Sequence, residues 1–317
     1  LSVTEKTSYE RIILFNNQCI VALLSKDYKY YLQWITADTI TEELVFTGDY
    51  MQNPPVLFRC EDYIGYIIHQ QNKMFLYKEA DKPYEVNINN TLPPIRYPDF
   101  ERELLPYRYA GNSNSNVVPF LLGDCSSLPN YIAFLQIDFQ AMTASWTSQI
   151  YWNGKNTIPA SAEYFEKPVK RPFTMLHAML NNSKLYAYAI GDRSSGYLKY
   201  GMDYSELSVL DENGSIDENL FSLGRLYKAD KKGGKECLFT SSLEYAILTP
   251  VYKSDDWKNK QKLFNINNRQ LHDITLSKGY TKYRIIDHIG NTFLLADRVD
   301  NLLLSWMQNL ITCEIDV

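Results

Sequence analysis

Short apolar runs, each closed by a few polar residues, recur from one end of the chain to the other. They are rich in Ile, Val, Tyr, Phe and Leu, and Asn, Asp, Gly, Ser and Pro interrupt them. Aromatic and β-branched side chains suit a pleated, half-buried surface, and the interrupting residues supply turn conformations, so the runs predict strands. Apolar residues at helical spacing are scarce. Only Phe100 to Tyr107 reads as a helical turn or two. The predicted class is all-β.

The runs repeat as a unit, an apolar strand turning into a second apolar strand. Arg11 to Phe15 turns at Asn16-Asn17 into Cys19 to Leu24, and Val56 to Phe58 turns at Glu61-Asp62 into Tyr63 to Ile68. Pro119 to Leu122 leads through Pro129-Asn130 into Tyr131 to Ile137, and Thr174 to Leu180 leads through Asn181-Asn182-Ser183 into Leu185 to Ile190. Cys237 to Phe239 precedes Tyr245 to Val251, and Tyr283 to Ile286 precedes Phe293 to Ala296 across Gly290-Asn291. Two more strand-like runs follow each hairpin. In the third copy the last of these is Glu163 to Phe165; in the fourth they are Tyr197 to Met202 and Glu206 to Leu210; in the sixth, Leu302 to Trp306 and Thr312 to Val317.

Copies spaced by about 55 residues fall in the range of propeller repeats, and four antiparallel strands per copy make a blade. The expectation is a single β-propeller domain over 1-317, most simply of six four-stranded blades. Their bounds are 9-48, 55-89, 117-168, 173-211, 236-276 and 281-317, with a long insertion at 92-116. Seven blades, a two-sheet sandwich or a pair of smaller all-β domains are the alternatives. Ring closure would set Ser2-Val3-Thr4 beside the last blade and remove an exposed edge. The signatures of WD, kelch and sialidase-type repeats are missing, so the propeller rests on periodicity.

Charge narrows the partners. Lys plus Arg is 32 and Asp plus Glu is 37, a formal net charge of −5 at pH 7. No concentrated positive surface is available to displace counterions from phosphates, so no nucleic acid is expected. The longest apolar runs, such as Cys19 to Leu24, are far too short for a membrane-spanning helix. Five widely spaced cysteines without a CxxC pair read as reduced thiols, which points to the cytoplasm. The first residue is Leu rather than Met, which leaves a removed signal peptide open.

Candidate chemistry is sparse. His177 and His288 fall on hairpin strands of different blades, with Asp287 beside the latter. Across a central channel they would resemble part of a metal site or an acid–base pair; the plainer reading buries each on its own strand. Gly-x-Ser-x-Gly, Gly-rich phosphate loops and an EF-hand loop are all missing, so no catalytic residue, metal or cofactor is assigned. The acidic pairs Asp211-Glu212 and Asp217-Glu218 read as loops. Carboxylates contributed by different blades would define the competing function, a propeller glycosidase or lyase working at the channel. A lectin-like module would need an aromatic platform on one face, whereas Trp34, Trp152 and Trp306 read as core.

The long connections are the better lead. Arg96, Tyr97, Tyr107, Arg108 and Tyr109 lie in the 92-116 segment, and Asp255, Asp256 and Trp257 at a charged hairpin tip. Arg and aromatic residues are enriched where proteins meet, and long loops in compact domains are commonly functional. The expected function is therefore a non-catalytic protein-binding propeller. Its narrower form is an antagonist, such as a bacterial immunity protein that neutralises a toxin or effector. The Asn-, Lys-, Tyr- and Ile-rich composition suits an AT-rich bacterial genome, and mild acidity suits a basic partner.

Overall fold

Tight turns with left-handed residues fold each run onto the next. Asp27 and Tyr28 have φ of 48° and 61°, and Asn182 and Ser183 have 49° and 62°. Both pairs are two-residue connections with positive φ throughout, the turn whose twist matches that of the flanking strands. The computed structural model describes residues 8–48, 54–80, 82–91, 95–97, 100–102, 105–123, 131–152, 157–159, 174–191, 204–210, 216–224, 235–250, 261–274, 276, 283–297 and 310–314.

The first blade is β1 (Ser8–Asn16), β2 (Cys19–Lys26), β3 (Lys29–Ile35) and β4 (Ile40–Thr47), paired antiparallel in that order. The second is β5 (Val56–Cys60), β6 (Tyr63–Ile68), β7 (Lys73–Tyr77) and β8 (Pro83–Ile88). Next come β9 (Ile95–Tyr97) and β10 (Phe100–Arg102), which pair only with each other. The third blade contains β11 (Leu105–Ala110), β12 (Asn112–Ser113), β13 (Val117–Gly123), β14 (Tyr131–Asp138), β15 (Thr143–Trp152) and β16 (Thr157–Pro159). The fourth is β17 (Thr174–Asn181), β18 (Lys184–Gly191), β19 (Tyr204–Leu210) and β20 (Ile216–Gly224). The fifth is β21 (Lys235–Phe239), β22 (Tyr245–Pro250), β23 (Lys262–Asn265) and β24 (Leu271–Asp273). The sixth shows β25 (Tyr283–Ile289), β26 (Thr292–Asp297) and β27 (Leu310–Glu314) among the described residues.

Six strands form the axial ring. Each of β1, β5, β11, β17, β21 and β25 packs on the next, and β25 returns to β1. This closed cycle is a six-bladed β-propeller. The side chains of each inner strand alternate between its two neighbours, as a period of two demands. Ile13 packs with Leu57 and Tyr77 of the second blade, while Ile12 and Leu14 pack with Ile286 and Leu294 of the sixth. Trp34 is buried, edge-on to Phe15 at 5.7 Å, as a core residue should be.

The third blade starts one strand earlier than the sequence suggests. The strand β11 pairs antiparallel with β13, and its continuation β12 runs parallel to the inner strands β5 and β17. The segment expected as an insertion therefore holds the innermost strand of this blade. The described residues between Phe100 and Tyr107 are consequently not helical but belong to β10 and β11; strand pairing outweighs their weak helical spacing. The fourth strand is β15, which pairs antiparallel with β16 at one end and parallel with the second blade's β8 at Thr143–Asn87 and Ala144–Ile88. Glu163 to Phe165 lies outside the described residues.

Two more blades are shifted. Glu206 to Leu210 belongs to the third strand of its blade, and the fourth is β20. Asp217 and Glu218 are thus strand residues rather than loop residues. In the sixth blade β27 pairs directly with β26 as the third strand, where a fourth was expected. Tyr197 to Met202, Leu302 to Trp306 and Ser2 to Thr4 lie outside the described residues.

Candidate functional site

Five polar side chains, of Arg11, Asn112, Asp287, Ser241 and Arg59, gather where the inner strands converge. Arg11 donates from Nη1 to the Ala110 carbonyl at 2.5 Å and from Nη2 to Asn112 Oδ1 at 3.0 Å, reaching from the first blade to the third. Asp287, on the sixth blade, accepts the Leu14 amide at 2.7 Å, the Ser241 amide at 2.7 Å and the His288 amide at 2.8 Å. The Ser241 hydroxyl donates to the same carboxylate at 2.5 Å. Arg59 Nη1 donates to the Ser241 carbonyl at 3.0 Å.

Local irregularities aim these groups inward. Tyr9 pairs with Leu24 and Arg11 with Leu23, so Glu10 is an extra residue in β1. The same break occurs between Met175 and His177 and between Ile285 and Asp287. In each strand the residue after the extra one, Arg11, His177 or Asp287, lines the axial cavity. A bulge re-aims side chains in this way. The repetition is structural and has no marker in residue type, which is why sequence reasoning missed Arg11 and Asn112.

The axial cavity is about 30 Å³, also lined by Asn112, Ser241 and Phe239. That is room for a few waters and far less than a small ligand needs. Asp287 is the one carboxylate among the described lining residues, and burial raises its pKa against the four donors that pull it down. Burial, helped by the Arg11 charge, lowers the His177 imidazole to about 3, so it is neutral at pH 7. His288 does not join His177. It stacks edge-on with Tyr245 at 5.1 Å and tilts onto Phe293 at 4.5 Å, in the packing of the last two blades. Among the described residues no three His, Cys, Asp or Glu side chains are grouped as metal ligands would be. Cys60 and Cys237 are buried free thiols whose pKa burial pushes up.

The expected contact residues fall on separate elements. Arg96 and Tyr97 lie on β9, in the two-stranded hairpin that belongs to no blade. Tyr107, Arg108 and Tyr109 lie instead on the innermost strand β11, in the irregular stretch between Pro106 and Ala110. Asp255, Asp256 and Trp257 lie outside the described residues. No described helix is long and apolar enough to cross a membrane.

No family model matches the chain, and no curated protein matches it. Solved structures resemble it distantly. Hydrazine synthase of Kuenenia stuttgartiensis is 8% identical with a TM-score of 0.46, covering 99% of this chain and 97% of that one. Virginiamycin B lyase of Staphylococcus aureus is 10% identical with a TM-score of 0.43, covering 98% and 96%. An oligogalacturonate lyase is 9% identical with a TM-score of 0.43, covering 93% and 88%. Their functions are diverse and none transfers at such identity. The propeller itself stands on the strand pairing described above.

Proposed function

We propose that this chain is a non-catalytic binding propeller that engages another protein through the Ile95–Arg102 hairpin. The observation that carries the reading is the hairpin itself: two short strands inserted between consecutive blades which, among the described residues, form a ladder with neither. Every other described strand is paired within a blade or between blades. An element that adds nothing to the ring's sheets, yet carries Arg96 and Tyr97, has the composition of a contact surface on a rigid scaffold.

The axis supports the same reading. A channel glycosidase needs two carboxylates roughly 5 to 10 Å apart with a sugar between them. Here the cavity has room for only a few waters, and the one carboxylate among its described lining residues is already engaged by four donors. The narrower form of the proposal is an antagonist of a basic toxin or effector, favoured by the net charge of −5.

The test is affinity capture with the tagged full chain at moderate salt, followed by binding measurements on whatever protein co-elutes in stoichiometric amount. Replacing Arg96 and Tyr97 together by Ala should weaken that partner about 30-fold, near 2 kcal/mol, without lowering the melting temperature. A partner held equally well by the double variant would remove the hairpin from the interface, and a preparation without any partner would end the protein-binding reading.

A further inference from the structure

A second site lies on the rim of the third blade, at the same end of the ring as the turns between first and second strands. Asn116, from the turn leading into β13, and the ends of β14 and β15 with their connecting turn enclose an open groove of about 580 Å³. This is within the usual range for small-ligand sites and far larger than the axial cavity.

The groove is built on fixed backbone. Asp138 Oδ1 accepts the amides of Gln140 and Ala141, both at 2.9 Å, and so holds the β14–β15 turn. Asn116 Nδ2 donates to the Ile137 carbonyl at 3.0 Å, tying the other wall to the same strand end. Phe139 lies flat on Tyr63 of the second blade, with ring centroids 4.7 Å apart and planes within 10°. Its ring is thereby locked as an aromatic wall.

The exposed lining has a definite chemistry. Gln136 and Gln140 offer solvent-facing carboxamides, each both donor and acceptor, and Ser145 offers a hydroxyl. Among the described lining residues Asp138 supplies the one charge, and none is Lys or Arg. Phosphates, nucleotides and sulfated or uronic sugars would meet a carboxylate without a compensating cation. A lipid would cover the carboxamides of Gln136 and Gln140 without offering them a partner. The matching ligand is neutral, carries many paired hydroxyls, and has an apolar face to lay on an aromatic ring. We infer that this groove binds a neutral saccharide of two or three residues, with Gln136 and Gln140 holding hydroxyl pairs and Phe139 taking the sugar face. This site is independent of the hairpin and of the protein partner proposed for it.

The experiment is a calorimetric titration of the full chain with neutral disaccharides and trisaccharides built from glucose, galactose, mannose and N-acetylglucosamine, beside sialylated and sulfated counterparts. At least one neutral sugar should bind with a dissociation constant in the micromolar to millimolar range, and the anionic counterparts at least tenfold more weakly. Gln136→Ala and Gln140→Ala should each weaken the neutral sugar about tenfold at an unchanged melting temperature, whereas Arg96→Ala with Tyr97→Ala should leave it unaltered. The inference is overturned if no neutral sugar binds, if the anionic forms bind as well, or if neither Gln substitution matters.

Discussion

Asp287 accepts the backbone amide of Leu14 at 2.7 Å, joining residues 273 apart in sequence. The bond closes the ring between its sixth and first blades. It is also one link of a polar circuit around the axis. Glu61 N donates to the Ser113 carbonyl, Asn114 Nδ2 to Asn181 Oδ1, Asn181 Nδ2 to the Leu243 carbonyl and Ser242 N to the His288 carbonyl. Apolar contacts pack the blades face to face, but they are non-directional. These bonds fix which turn meets which.

Asp287→Asn should therefore cost more than an ordinary buried hydrogen bond. All four partners of the carboxylate donate to it, and the Asn amide group would set a fifth donor against them. The expected loss is about 2 to 4 kcal/mol, read from urea midpoints at constant slope. A variant as stable as the parent would mean that the circuit does not hold the ring.

Stability should fall in mild acid, and His177 should account for part of the fall. Its folded pKa is depressed to about 3 from an ordinary 6.5. Below pH 6.5 the unfolded chain takes up a proton that the folded chain refuses, so the contribution is lost as pH drops, by at most about 1.4 kcal/mol per unit. Asp287 acts with the opposite sign, since its raised pKa favours the fold once the carboxyl protonates. Comparing His177→Gln with the parent between pH 7 and pH 5 isolates the histidine: the variant's curve should be flatter, and parallel curves would refute the assignment.

At Gly111 the third blade's inner strand passes tightly against the fourth blade. A Cβ there would lie 2.7 Å from the Ala178 carbonyl oxygen and 2.6 Å from Pro119 Cγ. The amide of Gly111 also donates to the Pro119 carbonyl at 2.6 Å, so the backbone has little freedom to retreat. Gly111→Ala should destabilise by about 2 kcal/mol or more, visible as a lower melting temperature.

Tyr28 offers a gain instead. It is exposed and has φ of 61°, a conformation that costs a non-glycine residue about 1 kcal/mol. Tyr28→Gly should raise stability by about 0.5 to 1 kcal/mol in chemical denaturation, unless the greater freedom of Gly in the unfolded chain cancels the relief.

Strand content and blade number were legible because alternation and turn residues act locally. Phase was not. Pro119 to Leu122 and Tyr131 to Ile137 form a true hairpin, but they are second and third strands. Nothing in their apolar character distinguishes an axial strand from its neighbour. The proper first strand, Leu105–Ala110, carries Pro106, Tyr107 and Arg108, which made it look like a loop. The fourth blade shows the same difficulty: Ile216–Gly224 pairs as a strand despite Asp217, Glu218 and Asn219. At the site, His177 and Asp287 were visible as polar residues within strands. Their meeting with Arg11 depends on bulges, which a pattern of residue types does not reveal.

The parallel bridge between Thr143–Ala144 and Asn87–Ile88 has a mechanical consequence. Together with the two-sided pairing of Asn112 and Ser113, it makes the second, third and fourth blades one 14-stranded hydrogen-bonded sheet, whereas the first, fifth and sixth form separate sheets. The molecule is a clasped band: three blades welded through their backbones, and three held to each other and to the weld by side chains and the axial circuit. Under heat or tension the seams flanking the welded arc are the places to part, and the arc should exchange its amide protons as one late, cooperative block.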